Sequence, residues 1–262
     1  MTVEPRLRDY DTNLSRHFGQ YRNVKLTVVG SSPAWPNPGG AQSGYLIEGP
    51  GRLLLDCGPG VLARLRELHS SIGWPRVAAI VVSHFHLDHW GDLVPWVWLS
   101  VSGLAPAERS TLFVPPRGRE RLADFGSQLG YSEMFESTFA ISEYEPLVPF
   151  VAAGFEVVAH PVAHFDLQAF GFRVRGRDGR LLAYSGDSAP CEELRTIAAG
   201  ADAFLCEATL ASSREDSVPR GHLSAEEAIE HATGRLLLTH RPAELETPPE
   251  ASRVFDGTTT EI

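Results

Sequence analysis

Cysteine is scarce in this chain: Cys57, Cys191 and Cys206 are the three in 262 residues. An odd number with no C-x-x-C pair excludes a disulfide framework and a cysteine-type zinc site. Free cysteines of this kind read as small buried apolar side chains. Basic residues are also short, with 23 Lys and Arg against 33 Asp and Glu and a formal net charge of −10. Nucleic acid is held chiefly by Lys and Arg neutralising phosphates, so this balance argues against a protein that tracks along DNA or RNA. It leaves open a small phosphodiester, whose charge bound metal ions would neutralise locally. Long apolar runs are missing too: 77–82 and 93–101 fall well short of the roughly 20 residues of a membrane helix. The opening MTVEPRLRDYDTNLSRHFGQYRN lacks the apolar centre of a signal peptide. The expectation is a cytoplasmic protein with no membrane partner.

What is present is a globular composition, 43% hydrophobic, with enough apolar material for a sizeable core. The first 23 residues carry no period and read as an N-terminal arm, followed by a single domain over 24–262. Strands are expected at 24–29 and, as a hairpin about Gly49-Pro50-Gly51, at 45–48 and 52–56. Leu62, Leu65 and Leu68 predict a helix over 61–69. The continuous apolar run 77–83 reads as a strand buried on both faces. A helix over 92–102 tolerates Pro95 near its first turn. A strand at 111–114 and a helix at 119–129 follow, whereas 134–149 has no clear pattern. Strands at 155–162, 169–175 and 180–184 are expected, the last two joined by a hairpin at Gly176-Arg177-Asp178-Gly179. A helix at 192–199 and a buried strand at 203–206 come next. Ser224-Ala225-Glu226-Glu227 is a capping box that starts a helix running to about 233. A buried strand at 235–239 precedes a Pro-, Glu- and Thr-rich tail with one edge strand near Arg253. This alternation suits two face-to-face sheets with helices outside, an α/β four-layer αββα sandwich.

Ten histidines are the informative excess. His84, His86, Asp88 and His89 fall within six residues, where an apolar strand ends. In extended chain, side chains two apart point the same way, so His84 and His86 converge while Asp88 and His89 turn toward a neighbouring point. Imidazole and carboxylate suit zinc, and also manganese or iron. His160 and His164 both compete as a further ligand after a strand. Asp187, behind Gly186, and His240 also end apolar runs, and rigid strands can aim such residues at one point. Trp90, Trp96 and Trp98 follow the His84–His89 segment and could either line the site or pack in the interior.

Ser83-His84-Phe85-His86-Leu87-Asp88-His89 resembles the signature of the metallo-β-lactamase superfamily, and the resemblance extends from Val24 to His240. It implies the metallo-β-lactamase fold and a hydrolase with two divalent metal ions, zinc by default. By resemblance, one ion is held by His84, His86 and His164, the other by Asp88, His89 and His240. Asp187 and a hydroxide bridge them, Asp88 also orients the attacking water, and Asp56 supports the metal loop. His164 is favoured over His160 because a short loop and a Gly-aromatic strand follow it. Glu207 and His222 resemble residues of ribonuclease Z and related phosphodiesterases, in which a glutamate orients a histidine toward the scissile phosphate. Cys206 stands where that group has a histidine. A transfer-RNA-binding arm is also missing between His164 and Asp187. The implied activity is therefore phosphodiesterase action on a small substrate, a cyclic nucleotide first, in a homodimer. A ribonuclease Z-like RNA-processing nuclease and an ester, lactone or lactam hydrolase are the alternatives.

Overall fold

A computed structural model describes residues 24–68, 76–104, 109–213 and 219–262. The expected N-terminal arm and the His69 end of the first helix lie outside the described residues. Two seven-stranded mixed sheets form the centre. The first contains β1 (Lys25–Gly30), β2 (Gly44–Glu48), β3 (Arg52–Leu55), β4 (Ala79–Val81), β5 (Thr111–Val114), β6 (Ala140–Glu143) and β14 (Thr259–Glu261), in the order β14-β1-β2-β3-β4-β5-β6. The second contains β7 (Phe150–Ala152), β8 (Phe155–His164), β9 (Leu167–Arg175), β10 (Leu181–Tyr184), β11 (Ala203–Glu207), β12 (Leu236–Thr239) and β13 (Ser252–Arg253), in the order β13-β12-β11-β10-β9-β8-β7. Each sheet is antiparallel at one end and parallel at the other: β3 to β6 and β10 to β13 pair in parallel.

The strand period of two explains how four layers assemble. In β3, Leu53 and Leu55 enter the core between the sheets, while Leu54 joins an outer core. In β12, Leu237 faces inward and Leu236 and Leu238 outward. Central strands therefore have no solvent face, and β2, β10, β11 and β12 are buried at every position. Against the first sheet pack α1 (Val61–Leu68), α3 (Leu93–Leu99), α4 (Gly118–Gln128) and α5 (Met134–Thr138); against the second pack α6 (Glu192–Ala198) and α7 (Ala225–His231). The four-layer αββα sandwich expected from the sequence is the observed architecture.

Several details differ from the sequence reading. The segment after His86 is not extended throughout: Leu87–Trp90 forms a one-turn helix, α2, which carries Asp88 and brings the His89 ring to 4.1 Å from that of His84, centroid to centroid. Past α3 the chain continues through a wider turn, Ser100–Leu104, that leaves helical geometry at Gly103, with φ of 77°. The unreadable stretch 134–149 holds α5 and the edge strand β6. Trp90 and Trp96 are buried in the outer core, so neither forms an aromatic wall at a substrate site; Trp98 is exposed. Ser224 accepts from the Glu227 amide and Glu227 reaches back to the Ser224 amide, as the capping box requires. No helix among the described residues is long and apolar enough to cross a membrane.

Candidate metal centre

Asp56 follows β3, His84 follows β4, and His164 ends β8. Asp187 follows β10, Glu207 ends β11, and His240 follows β12. All sit at or just beyond the C-terminal ends of their strands, so the two sheets deliver them to one region. Backbone geometry at this end is specialised. Asp56 and His240 adopt left-handed φ of 57° and 48°, a conformation that non-glycine residues keep only where surroundings impose it. At Gly186, with φ of 60°, an added Cβ would lie 2.4 Å from the Phe170 carbonyl oxygen. Asp187 is reached through a turn that only glycine fits.

Two clusters share Asp187, and Glu207, His222 and His240 converge as a third group. In the first, His84 Nε2 lies 3.1 Å from His86 Nδ1, and His164 Nε2 lies 2.9 Å from the same atom. In the second, His89 Nε2 and His240 Nε2 lie 3.3 Å and 3.1 Å from Asp88 Oδ2. Asp187 Oδ2 approaches both, at 3.9 Å from His84 Nε2, 3.2 Å from His89 Nε2 and 3.5 Å from His240 Nε2. His160 joins neither group; it pairs with Gly171 along β8 and β9.

Four of the five converging imidazoles are anchored through the other nitrogen. His164 Nδ1 donates to the Gly221 carbonyl at 2.6 Å. His89 Nδ1 donates to Asp56 Oδ2 at 2.8 Å, and His84 Nδ1 lies 3.1 Å from Ser83 Oγ. Thr209 Oγ1 donates to Glu207 Oε2 at 2.8 Å, so it receives the proton of His240 Nδ1, also at 2.8 Å. Such outer bonds fix tautomers and leave a lone pair on the inward nitrogen. Asp56 is the hub: it also accepts from the Ser83 amide at 2.7 Å, Ser83 Oγ at 2.8 Å and Tyr184 Oη at 2.8 Å. Tyr184 belongs to the opposite sheet, so this last bond ties the sheets together beneath the site. Tyr184→Phe is expected to cost about 1.5–3 kcal/mol, the scale of a buried bond to a charged group. Urea unfolding of chelator-treated protein measures this, and an unchanged midpoint would show that Asp56 needs no donor from the second sheet.

The electrostatics suit cations. Burial pushes the His84, His86 and His164 pKa values down, which keeps those rings neutral. Burial alone would do the same to His89, but Asp187, Asp56 and Asp88 outweigh it and raise its pKa well above the ordinary histidine value. Burial opposes the charge on Asp88 and Asp187. For Asp88, His89 and a His240 hydrogen bond prevail; for Asp187, His240 and His89 do, and both acids are held below the usual carboxylate range. The carboxylates around His89 thus favour positive charge at this position. Asp187 Oδ1 is buried with no hydrogen-bond partner among the described residues. Three lone pairs converging in one cluster, excess carboxylate in the other and this orphaned oxygen fit divalent metal ions.

Beside the clusters, His222 Nδ1 lies 3.0 Å from Glu207 Oε1 and 3.9 Å from Asp187 Oδ2. Burial lowers the His222 pKa, but the Glu207 charge and hydrogen bond overcome this and raise it to about 9. Glu207 is buried and also accepts from the Ser188 and Thr209 amides. Arg220, which the sequence reading did not single out, donates from Nε to the His222 carbonyl and grips Glu227 with both terminal nitrogens. The cap of α7 therefore also fixes the His222 loop.

The β-lactamase superfamily domain matches residues 51–240, the span that carries both clusters. The chain belongs to that superfamily. An uncharacterized protein of Mycobacterium tuberculosis is 32% identical over 91% of this chain and 89% of its own length. The probable metallo-hydrolase YhfI of Bacillus subtilis is 28% identical over 89% of this chain and 95% of its own. The crystal structure of YhfI superposes with a TM-score of 0.75 at 23% identity, covering 91% of this chain and 99% of that one. Ribonuclease Z of Mycobacterium bovis is 28% identical over 70% of this chain and 69% of its own. Superfamily membership and the buried His/Asp clusters make this a metallo-hydrolase fold with a site arranged to bind metal ions.

Proposed function

We propose that the protein is a metal-dependent phosphodiesterase with a dinuclear site, acting on a small phosphodiester such as a cyclic nucleotide. The observation that carries this reading is the Glu207–His222 pair beside Asp187. Ester or lactam hydrolysis has no call for a charged imidazole held at the edge of both clusters. A phosphodiester does: its non-bridging oxygens demand positive charge and its leaving oxygen demands a proton.

His84, His86 and His164 would hold one ion, Asp88, His89 and His240 would hold the other, and Asp187 lies within reach of both sets. With five imidazoles and two carboxylates as donors, zinc is the first choice and manganese or iron the alternatives. Two such ions supply an activated water and neutralise phosphoryl oxygens. Asp88 orients the attacking water through its carboxylate. His222, with Nδ1 engaged by Glu207, donates a proton from Nε2 to the leaving oxygen, and Glu207 stabilises the charged ring until it does. The small-substrate reading draws support from the β8–β9 connection. His164 pairs with Leu167, so only Phe165 and Asp166 form the turn, and no RNA-binding arm is inserted there.

Hydrolysis of bis(p-nitrophenyl) phosphate, nitrocefin and a simple lactone, each with zinc or manganese and with a chelator control, tests the proposal. Metal-dependent cleavage of the phosphodiester alone is expected. Cleavage of only the lactam or the lactone would overturn the roles given to His222 and Glu207.

A further inference from the structure

Phe165 stands first in the two-residue turn between β8 and β9, with a φ of 48°. A bulky aromatic rarely adopts this left-handed conformation, and it persists only where neighbours over-determine it. Those neighbours are visible. The Phe165 amide donates to the Arg220 carbonyl at 2.9 Å. Its ring centroid lies 4.8 Å from that of His164, 5.6 Å from His222 and 6.2 Å from His86. Gly221 leaves the ring its space: a Cβ there would meet it at 2.3 Å. The residue nevertheless remains 37% exposed and belongs to none of the three hydrophobic cores. A strained backbone thus holds an apolar ring at the rim of the site, against two candidate ligands and the candidate acid, where its contribution to the interior is small.

We propose that Phe165 is the specificity-determining platform of the site, stacking the planar base of a nucleotide whose phosphate lies at His222. The inference rests on the phosphodiesterase reading and names the feature of the substrate that the metal clusters cannot read. Every nucleobase offers a π-face, so a single ring selects nucleotides over plain sugar phosphates without selecting strongly among bases.

Isothermal titration calorimetry of the zinc-loaded protein tests this with adenosine 5′-monophosphate and ribose 5-phosphate, which share a phosphate and a sugar but not a base. The wild type is expected to bind the nucleotide about tenfold more tightly, the scale of one base–aromatic stack. Phe165→Gly suits the left-handed turn and should erase that preference while leaving ribose 5-phosphate affinity unchanged. Phe165→Tyr should keep the preference. Equal binding of the two ligands by the wild type, an unaltered preference in Phe165→Gly, or equal weakening of both ligands in that variant would overturn the platform while leaving the phosphodiesterase reading standing. If the wild type binds neither phosphate, that reading falls and the platform with it.

Discussion

Asp187→Asn should strip the protein of its metal. Among the described residues Asp187 is the one carboxylate within reach of both clusters, and the substitution keeps its shape while removing its charge. Loss of an outer-shell partner alone costs 10–100-fold in metal affinity, so loss of this shared charge is expected to cost at least about 100-fold. A bound ion at free concentration L stabilises the folded state by RT ln(1 + L/Kd), so with zinc in large excess over both dissociation constants about 2.7 kcal/mol of zinc-dependent stability should go with that affinity. Elemental analysis after gel filtration and thermal unfolding with and without zinc measure the two effects. Turnover should fall below detection at micromolar metal. A variant that retained the wild-type metal content and the wild-type zinc-dependent thermal shift would remove Asp187 from the shared position.

His222→Ala should act quite differently. The side chain lies beside the clusters, and its hydrogen-bond partner is Glu207, outside either metal set. Metal content is therefore expected to stay at the wild-type level while phosphodiester kcat falls by about 10²–10⁴-fold, the usual scale of a positioned acid. The loss should shrink for a substrate whose leaving group is a weak base, such as p-nitrophenolate, and grow for an alkoxide, because only the alkoxide needs its proton in the transition state. An equal loss for both leaving groups would assign His222 to binding the phosphoryl oxygens. Unchanged rates with both would take it out of the site. Because Glu207 also anchors His240 through Thr209, Glu207→Gln should disturb metal content as well as rate, which separates the glutamate from the histidine it holds.

The candidate site was legible because its metal-ligating residue types are concentrated where apolar strands end. His84, Asp187 and His240 each follow a run too hydrophobic to be exposed, and a polar metal-ligating residue at such a boundary is conspicuous without any contact information. The choice of His164 over His160 rested on resemblance, and the structure brings His164 to the cluster while His160 stays along the strand. Other features left no local signal. α2 is a single turn, too short for periodicity to register. β6, β7 and β14 are edge strands with partly exposed faces, so their residues lack the alternation that burial imposes. Arg220 and Phe165 owe their importance to distant partners, and neither residue type is unusual in a loop. For the tryptophans the sequence left a wall and interior packing both open, and the structure buries Trp90 and Trp96 in the interior while Trp98 is exposed.

The outermost strand of the first sheet carries a consequence for how the chain reaches this arrangement. Thr27 of β1 meets Thr259 of β14 across 232 positions of sequence, and Asp256 just before β14 accepts from Ser31 and Ala41 in the loop after β1. Pairings this remote make folding slow, since the loop they close must be ordered before it is rewarded. During synthesis Thr27 emerges 232 positions ahead of Thr259, and the outer edge of β1 stays open over that interval. Mistranslation or truncation near residue 256 would therefore strike nascent-chain solubility first, through an unprotected strand edge, well before any ligand at the catalytic end was touched.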